Sequence, residues 1–301
     1  MNSKTLLYIV KRLLLAVLTV WVVITVTFFA TRAVPGGPFA SEKAITPAAK
    51  AALEAKYGLD KPVLEQYTTY LKDIVLHFDF GPSLKQRGRQ VIDVITDGLK
   101  TSAKLGVIAA FASLICGVVL GAIAALRRNK VIDRVIMVIT TAFVSMPSFI
   151  MGSLMLVAFS IKLAILPANG STTEGLILPV ITLALYPTAY ITRLTRSSML
   201  DVLGQDYIRT AKAKGVPGKR IIFGHALKNS LIPVITYFGP MLAYIVTGSL
   251  VVEQIFAVPG IGRAFVNSII NRDYPLIMGT TIVLAALIVI MNLVGDILYK
   301  V

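Results

Sequence analysis

The chain contains one cysteine, one tryptophan and two histidines in 301 residues, and each scarcity removes a class of chemistry. Cys116 stands alone inside an apolar run, so neither a disulfide framework nor a cysteine metal cluster is available. His77 and His225 are far apart in sequence, and neither HExxH nor GxSxG occurs. No GxxxxGK[ST] loop is present to cradle phosphates, so the chain is expected to hydrolyse no ATP itself and to be no enzyme. Charge is scarce too, at 15% of residues, and acids are outnumbered by 30 Lys and Arg to 15 Asp and Glu. The long apolar runs carry almost no ionisable groups, because Lys104, Lys162, Arg193, Glu253 and Asp296 all lie near their ends. A proton-coupled carrier needs a titrating group at mid-membrane depth. A self-sufficient secondary carrier is therefore disfavoured, although coupling through backbone carbonyls stays open.

What is present is hydrophobicity: 56% apolar residues and a mean hydropathy of +0.78 mark an integral membrane protein. Runs able to cross a hydrocarbon core of about 20 residues appear near 9–31, 101–126, 135–161, 175–193, 230–252 and 276–299. Six spans are expected. Each must be helical, because lipid offers no partner for backbone N–H and C=O groups, so the fold class is an all-α polytopic membrane protein. The first run follows Lys11-Arg12 as a signal peptide would, but its length and the lack of a small-x-small exit favour a retained span. Basic residues cluster at Lys4, Lys11 and Arg12, at Arg127, Arg128, Lys130 and Arg134, across 193–228, and at Lys300. This bias places both termini in the cytoplasm and His77 and His225 on opposite sides of the membrane. The net charge of +15 then reports topology, and nucleic acid is not expected as a partner.

The chain divides into a cytoplasmic start with span one, 1–31, an extracytoplasmic helical subdomain, 32–98, and a five-helix core, 99–301, that includes a cytoplasmic loop, 193–228. In the outer subdomain Thr46-Pro47 reads as an N-cap and first helical position, with Gly58 as the stop. A second helix starts near Pro62 with Val63, Tyr67, Tyr70, Leu71 and Ile74 at helical spacing. Val91, Ile92, Val94 and Ile95 form an apolar patch suited to the membrane surface. In span two, Ala109, Ser113, Gly117, Gly121 and Ala125 recur every fourth residue, a smooth stripe for close helix packing. Candidates for a translocation path are Ser145-Met146-Pro147-Ser148, a proline break with hydroxyls, and Thr247-Gly248-Ser249 leading to Glu253. Membrane helices also tolerate proline without function, so a purely structural reading stands beside this one.

The polar stretch 193–228 carries the clearest functional signal. Met199 to Lys214 is helix-compatible, Gly215 breaks it, and Pro217 can start a short helix with Lys219 and Arg220 beside an apolar edge of Ile221, Ile222 and Phe223. An amphipathic helix of this kind docks in a groove through a few apolar anchors, or lies on anionic lipid. Arg209-Thr210-Ala211, three residues, Gly215, nine residues and His225-Ala226-Leu227-Lys228 resemble the EAA loop of bacterial ABC importer permeases. The loop departs from that pattern at Arg209, Thr210, His225 and Lys228, so the contact of the family's glutamate does not carry over.

Further segments resemble one branch, the B-type permease subunits of oligopeptide and dipeptide importers. In chain order they are Pro35-Gly36-Gly37-Pro38-Phe39, Tyr57-Gly58-Leu59-Asp60, Asp79-Phe80-Gly81-Pro82-Ser83, Pro147-Ser148-Phe149, Thr195-Arg196-Ser197-Ser198-Met199, Asp206 to Gly215, Pro259-Gly260-Ile261-Gly262 and Asn271-Arg272-Asp273-Tyr274. The resemblance implies a type I ABC importer permease fold in a bacterial inner membrane, with a helical insertion after span one. It implies no cofactor in this chain; ATP and Mg would be used by partner subunits. The implied partners are a second, homologous permease, two cytoplasmic ATPases, an extracytoplasmic peptide-binding protein and membrane lipid. Arg209, Thr210, Ala211, Gly215, Lys219, Arg220, Ile221, Ile222, Phe223 and His225 would couple to an ATPase. Cargo stays open at this point, since permeases for nickel, glutathione or other small solutes share the architecture.

Overall fold

The computed structural model describes residues 3–35, 37–39 and 47–300. Gly36 of the first loop motif and the expected N-cap Thr46 lie outside the described residues. Among the described residues the fold is helical, with one isolated bridge, Pro82 to Gln90, and no strand. Its helices are α1 (Ser3–Ala33), α2 (Pro47–Lys56), α3 (Val63–His77), α4 (Val91–Leu126), α5 (Val131–Ser145), α6 (Ser148–Met155), α7 (Ile177–Leu203), α8 (Asp206–Ala213), α9 (Gly218–Arg220), α10 (Lys228–Ser230), α11 (Ile232–Val246), α12 (Leu250–Ile255), α13 (Ile261–Ile270) and α14 (Tyr274–Lys300). A π-helical turn, Leu156–Lys162, extends α6, and another, Ile221–Leu227, fuses α9 to α10.

Among the described residues four helices are long and apolar enough to cross a membrane, within Val10–Ala33, Val91–Leu126, Glu174–Leu203 and Tyr274–Leu293. The number rises to six if two bent pairs each count as one span. The pair Val131–Ser145 and Ser148–Lys162 bends by 108°, and Gly218–Ser230 with Ile232–Val246 by 48°. An uninterrupted span over 135–161 is therefore corrected. Met146 precedes Pro147, whose ring excludes the helical conformation one residue back, and Met146 is accordingly extended at φ −87, ψ 129. The run 230–252 is likewise not one helix. It stops at Val246, turns through Gly248 at φ 100, and resumes as α12. Ser249 caps α12 by accepting the N–H of Val252 at 3.2 Å.

The chain forms two compact units, Met1–Lys100 with Gly260–Val301, and Thr101–Pro259. In the first, α1 packs along α14 and α13 packs on α14. Their core holds Ile24, Phe28, Ile74, Phe80, Val91, Val94, Ile95, Ile261, Leu276, Met278 and Ile282. Here the expectation of a surface patch at 91–95 fails, because these residues form the first turn of α4 and three of the four are buried. Val91 and Ile95 are 0% and 1% exposed, while Ile92 alone faces outward. Their burial follows from a close approach at Gly279, where a Cβ would lie 2.5 Å from Val91 Cγ1.

In the second unit α7 is the central rod, packed against α5, α6 and α11. It absorbs Pro179 and Pro187 without ending. The small-residue stripe of α4 meets it: a Cβ on Gly117 would sit 2.7 Å from Ile191 Cβ, and one on Gly121 2.6 Å from the Thr192 carbonyl oxygen. Ala109 and Ser113 are 0% exposed and Ala125 3%, so the stripe is used inside the chain.

Candidate functional site

The polar stretch after α7 is built as an anchored helical hairpin. The expected single helix Met199 to Lys214 is broken, since α7 ends at Leu203 and Gln205 is extended at φ −73, ψ 149 before α8 starts. Along α8, Ile208 is fully buried, whereas Arg209 and Thr210 are exposed and Ala211 is half-buried. Gly215 turns the chain at φ +74. A Cβ there would meet no atom within 4 Å, so the requirement for glycine is conformational and not steric. Val216 N–H bonds back to the Ala211 carbonyl at 3.1 Å, which closes the turn, and Pro217 begins the helix Gly218–Ser230.

This second helix divides its apolar edge between two faces. Ile221 is 4% exposed, and Ile222 packs with Ala125, Met199 and Ala226. Phe223 points the other way and is 67% exposed. Lys219 and Arg220 are exposed and His225 is half-buried. Tyr207 on α8 and Asn229 on α10 tie the hairpin together by an Nδ2–H to hydroxyl bond of 2.7 Å. The result is a pinned hairpin on which Arg209, Lys219, Arg220 and the Phe223 ring are all exposed. Tyr207, Ile208 and Asn229 were not singled out from sequence, though Ile208 is an apolar residue in an otherwise polar helix and so left a signal.

A second missed feature lies at the same end of α7. Arg196 donates to Asp133 twice, Nε to Oδ1 at 2.6 Å and Nη2 to Oδ2 at 2.8 Å. Asp133 Oδ2 also accepts the N–H of Asn129 at 2.9 Å, so one carboxylate fixes the turn before α5 and docks that helix on α7. It is the lone acid among Arg127, Arg128, Lys130 and Arg134, which was its legible signal. Asp133 is 3% exposed and the Arg196 side chain 23%, so Asp133→Asn should remove the charged acceptor of a part-buried guanidinium and cost about 2 kcal/mol, measured as a lower melting temperature of the purified protein. Unchanged melting would show that the pair carries no net stability.

A cavity of about 930 Å³ opens between the α5–α6 break, α7 and the α11–α12 break. Ser145, Met146, Pro147 and Ser148 line it, and so does Ser249, together with Tyr186, Tyr237 and Tyr244. No Asp, Glu, Lys or Arg is among the described residues of its lining. Glu253 is placed elsewhere. It is 0% exposed and absent from the cavity wall, and its Oε1 accepts from Ser102 Oγ at 2.7 Å and from the Ser249 N–H at 3.1 Å. Its geometry is that of a group holding the Thr247-Gly248-Ser249 turn against α4.

Both features sit on α7, with Thr182 and Tyr186 at the cavity and Leu203 at the hairpin. From Tyr186 to Leu203 the helix runs on through Pro187 without a break and spans about 26 Å at 1.5 Å per residue.

Residues 117–301 match the family described as binding-protein-dependent transport system inner membrane component, and residues 5–106 match the N-terminal region of such membrane components. The chain belongs to this family. It is a multi-pass inner-membrane subunit of a transport system and not an enzyme. The dipeptide transport system permease protein DppB of Bacillus subtilis is 46% identical over 293 residues, covering 97% of this chain and 95% of that protein. The oligopeptide transport system permease protein OppB of Salmonella typhimurium is 44% identical over 297 residues, covering 98% and 97%. DppB of Lactococcus lactis is 40% identical over 292 residues, 97% of this chain and 96% of its own length. A crystal structure of an amino acid ABC transporter with histidines superposes with a TM-score of 0.53 at 16% identity, over 69% of this chain and 92% of that one, a likeness of fold alone.

Proposed function

We propose that this chain is the permease subunit of an ATP-driven importer of dipeptides or oligopeptides, forming half of a translocation pathway that opens alternately to each side. The observation that carries the reading is identity of 44–46% over nearly the full length to permeases named for dipeptide and oligopeptide transport. A cavity wall of hydroxyl, aromatic and thioether groups with no fixed charge agrees with it, since such a wall neither repels nor selects the charges that peptides of mixed sequence carry.

In this reading both termini and the hairpin of α8 and Gly218–Ser230 lie in the cytoplasm, and residues 32–98, with α2 and α3, lie outside as an extracytoplasmic subdomain. The partners are a second permease, two ATPases that use ATP and Mg, and an extracytoplasmic peptide-binding protein. Closure of the ATPases on ATP pulls the hairpin. The exposed Phe223 enters a groove on the ATPase with Lys219, Arg220 and Arg209 at its rim, while Gly215 keeps the turn and α7 transmits the displacement. Ser145, Met146, Pro147, Ser148 and Ser249 contact cargo, and Glu253 positions the turn that carries Ser249.

The test is uptake by the complete complex in proteoliposomes loaded with ATP. Charge reversal in a Lys219→Glu, Arg220→Glu variant should lower peptide uptake about tenfold, because rim charges set encounter and register more than total affinity. ATP turnover should persist, uncoupled from transport. Uptake equal to the unmodified complex would remove the hairpin from the coupling path. Separately, the ligands that co-purify with the partner binding protein decide between peptides and another small solute.

A further inference from the structure

Within the unit of Met1–Lys100 and Gly260–Val301, the last turn of α1, the loops after α2 and after α3, one side of α3 and the first turn of α14 line a half-open cavity of about 260 Å³. Two of the loop motifs met in the sequence, Tyr57-Gly58-Leu59 and Asp79-Phe80-Gly81-Pro82, converge here with Tyr274 of a third, although more than 190 positions separate the last two. The wall is rigid. Asp273 accepts from the Ser83 hydroxyl and from the Leu84 N–H at 3.1 Å, and Arg272 Nη1 donates to the Pro35 carbonyl at 2.9 Å. These bonds fix the backbone directly before Tyr274.

The inner surface carries hydrogen-bond donors without acceptors. Tyr274 is 6% exposed and its hydroxyl has no partner among the described residues, nor has the buried hydroxyl of Tyr70. Arg32 lines the same pocket. It gives its Nε–H to Gln66 Oε1 at 2.9 Å and reaches the Phe28 carbonyl only at 3.5 Å, so its guanidinium retains N–H groups without a partner among the described residues. Its Cζ stands 3.4 Å from the Phe28 ring centroid, which holds the plane of the group in place. A buried hydroxyl without a partner forfeits its hydration and calls for an occupant, and two of them beside one arginine call for an acceptor.

The other charges of the wall are nearer water. Asp79 is exposed and accepts the Gly81 N–H at 2.8 Å. Asp73 is 47% exposed at its side chain, with His77 at 3.9 Å, and Lys61 is 2.9 Å from Glu65. Solvent screens these groups, while the interior sees Arg32 at lower effective dielectric. Burial pushes the Tyr70 hydroxyl well above the usual phenol range, with Arg32 opposing, so it stays protonated and able to donate.

We propose that this pocket binds an anionic oxygen group, a carboxylate or a phosphate, gripped by Arg32 and capped by the hydroxyls of Tyr70 and Tyr274. Its volume suits one such group with a short apolar body against Phe28. Two sources offer this chemistry: a small soluble acid, or a phospholipid headgroup, since Arg32 closes the apolar helix Val10–Ala33.

The experiment uses the full-length chain in phosphatidylcholine nanodiscs and reads thermal unfolding in two arms. One arm titrates sodium benzoate and inorganic phosphate; the other replaces part of the lipid by phosphatidylglycerol. A saturable rise in melting temperature is expected in at least one arm, and the arm that responds names the source. In a Tyr70→Phe, Tyr274→Phe variant the rise should need about tenfold more anion, or vanish, because two hydrogen bonds to a charged group are lost. Without anion that variant should melt no lower than the unmodified chain, since it removes only unpartnered hydroxyls. Arg32→Lys keeps the charge but loses the planar fork, and should weaken the response by a similar factor. No rise in either arm, or an equal rise in both variants, overturns the proposal.

Discussion

Replacing Phe223 by aspartate will reduce ATP-dependent peptide uptake about thirtyfold or more while leaving the permease folded. The ring is 67% exposed on the helix Gly218–Ser230, so it adds nothing to the core, and a surface substitution of this kind changes stability by about 0.5 kcal/mol or less. An aromatic ring seated at the centre of an interface is different, since its truncation commonly costs about 2 kcal/mol or more, and the aspartate adds the expense of burying a charge. Ile222, one position earlier, packs on Ala226 and Met199 of α7, and Ile221, two positions earlier, is buried, so they hold the helix while Phe223 is free to engage a partner. Two readouts check the result: peptide uptake in proteoliposomes and retention of the ATPases during purification. Uptake within about threefold of the unmodified complex would correspond to under 1 kcal/mol and would sink the docking role of Phe223.

The second large effect is expected from Gly121→Leu. Its Cβ would lie 2.6 Å from both the Thr192 carbonyl oxygen and Thr195 Cβ, and backbone cannot rotate away as a side-chain tip can. Helices α4 and α7 must then separate, and overpacking of this kind costs about 3 kcal/mol or more. A drop of about 5 °C in the melting temperature follows from the usual entropy of unfolding for a chain of this size. Because α7 also joins the hairpin to the cavity, uptake should fall further than the amount of folded protein. Val119→Leu, at a position 51% exposed on the same helix, is the control and should melt with the unmodified protein. A Gly121→Leu protein that melts with the control would show that α4 and α7 do not depend on this contact.

Much of the fold was legible because the bilayer narrows the choices. Apolar runs of sufficient length have to be helices, and the stripe from Ala109 to Ala125 announced a close helix contact before any partner helix could be named. Gly215 and Pro217 marked the hairpin turn because their backbone preferences are local. The misreadings share a cause. Val91, Ile92, Val94 and Ile95 looked like a surface patch, since four apolar residues in a polar setting do not reveal that Gly279 will bring another helix within contact. The helix expected over Met199 to Lys214 failed at Gly204-Gln205, where intrinsic propensity gave a weak signal and the buried Ile208 and the Tyr207–Asn229 bond decide the path.

By itself, then, the sequence determined the class of protein, the helical content, the basic hairpin with its turn and the absence of catalytic motifs. These depend on solvent transfer and on local backbone limits, both of which are properties of short stretches. Only tertiary structure decided that Phe223 faces outward while Ile221 faces inward, that Glu253 leaves the cavity wall to Ser249, that Asp133 grips Arg196, and that Arg32, Tyr70 and Tyr274 surround one pocket. Those pairings join residues from 4 to more than 200 positions apart, and their energies come from packing and burial that exist only once the helices have met.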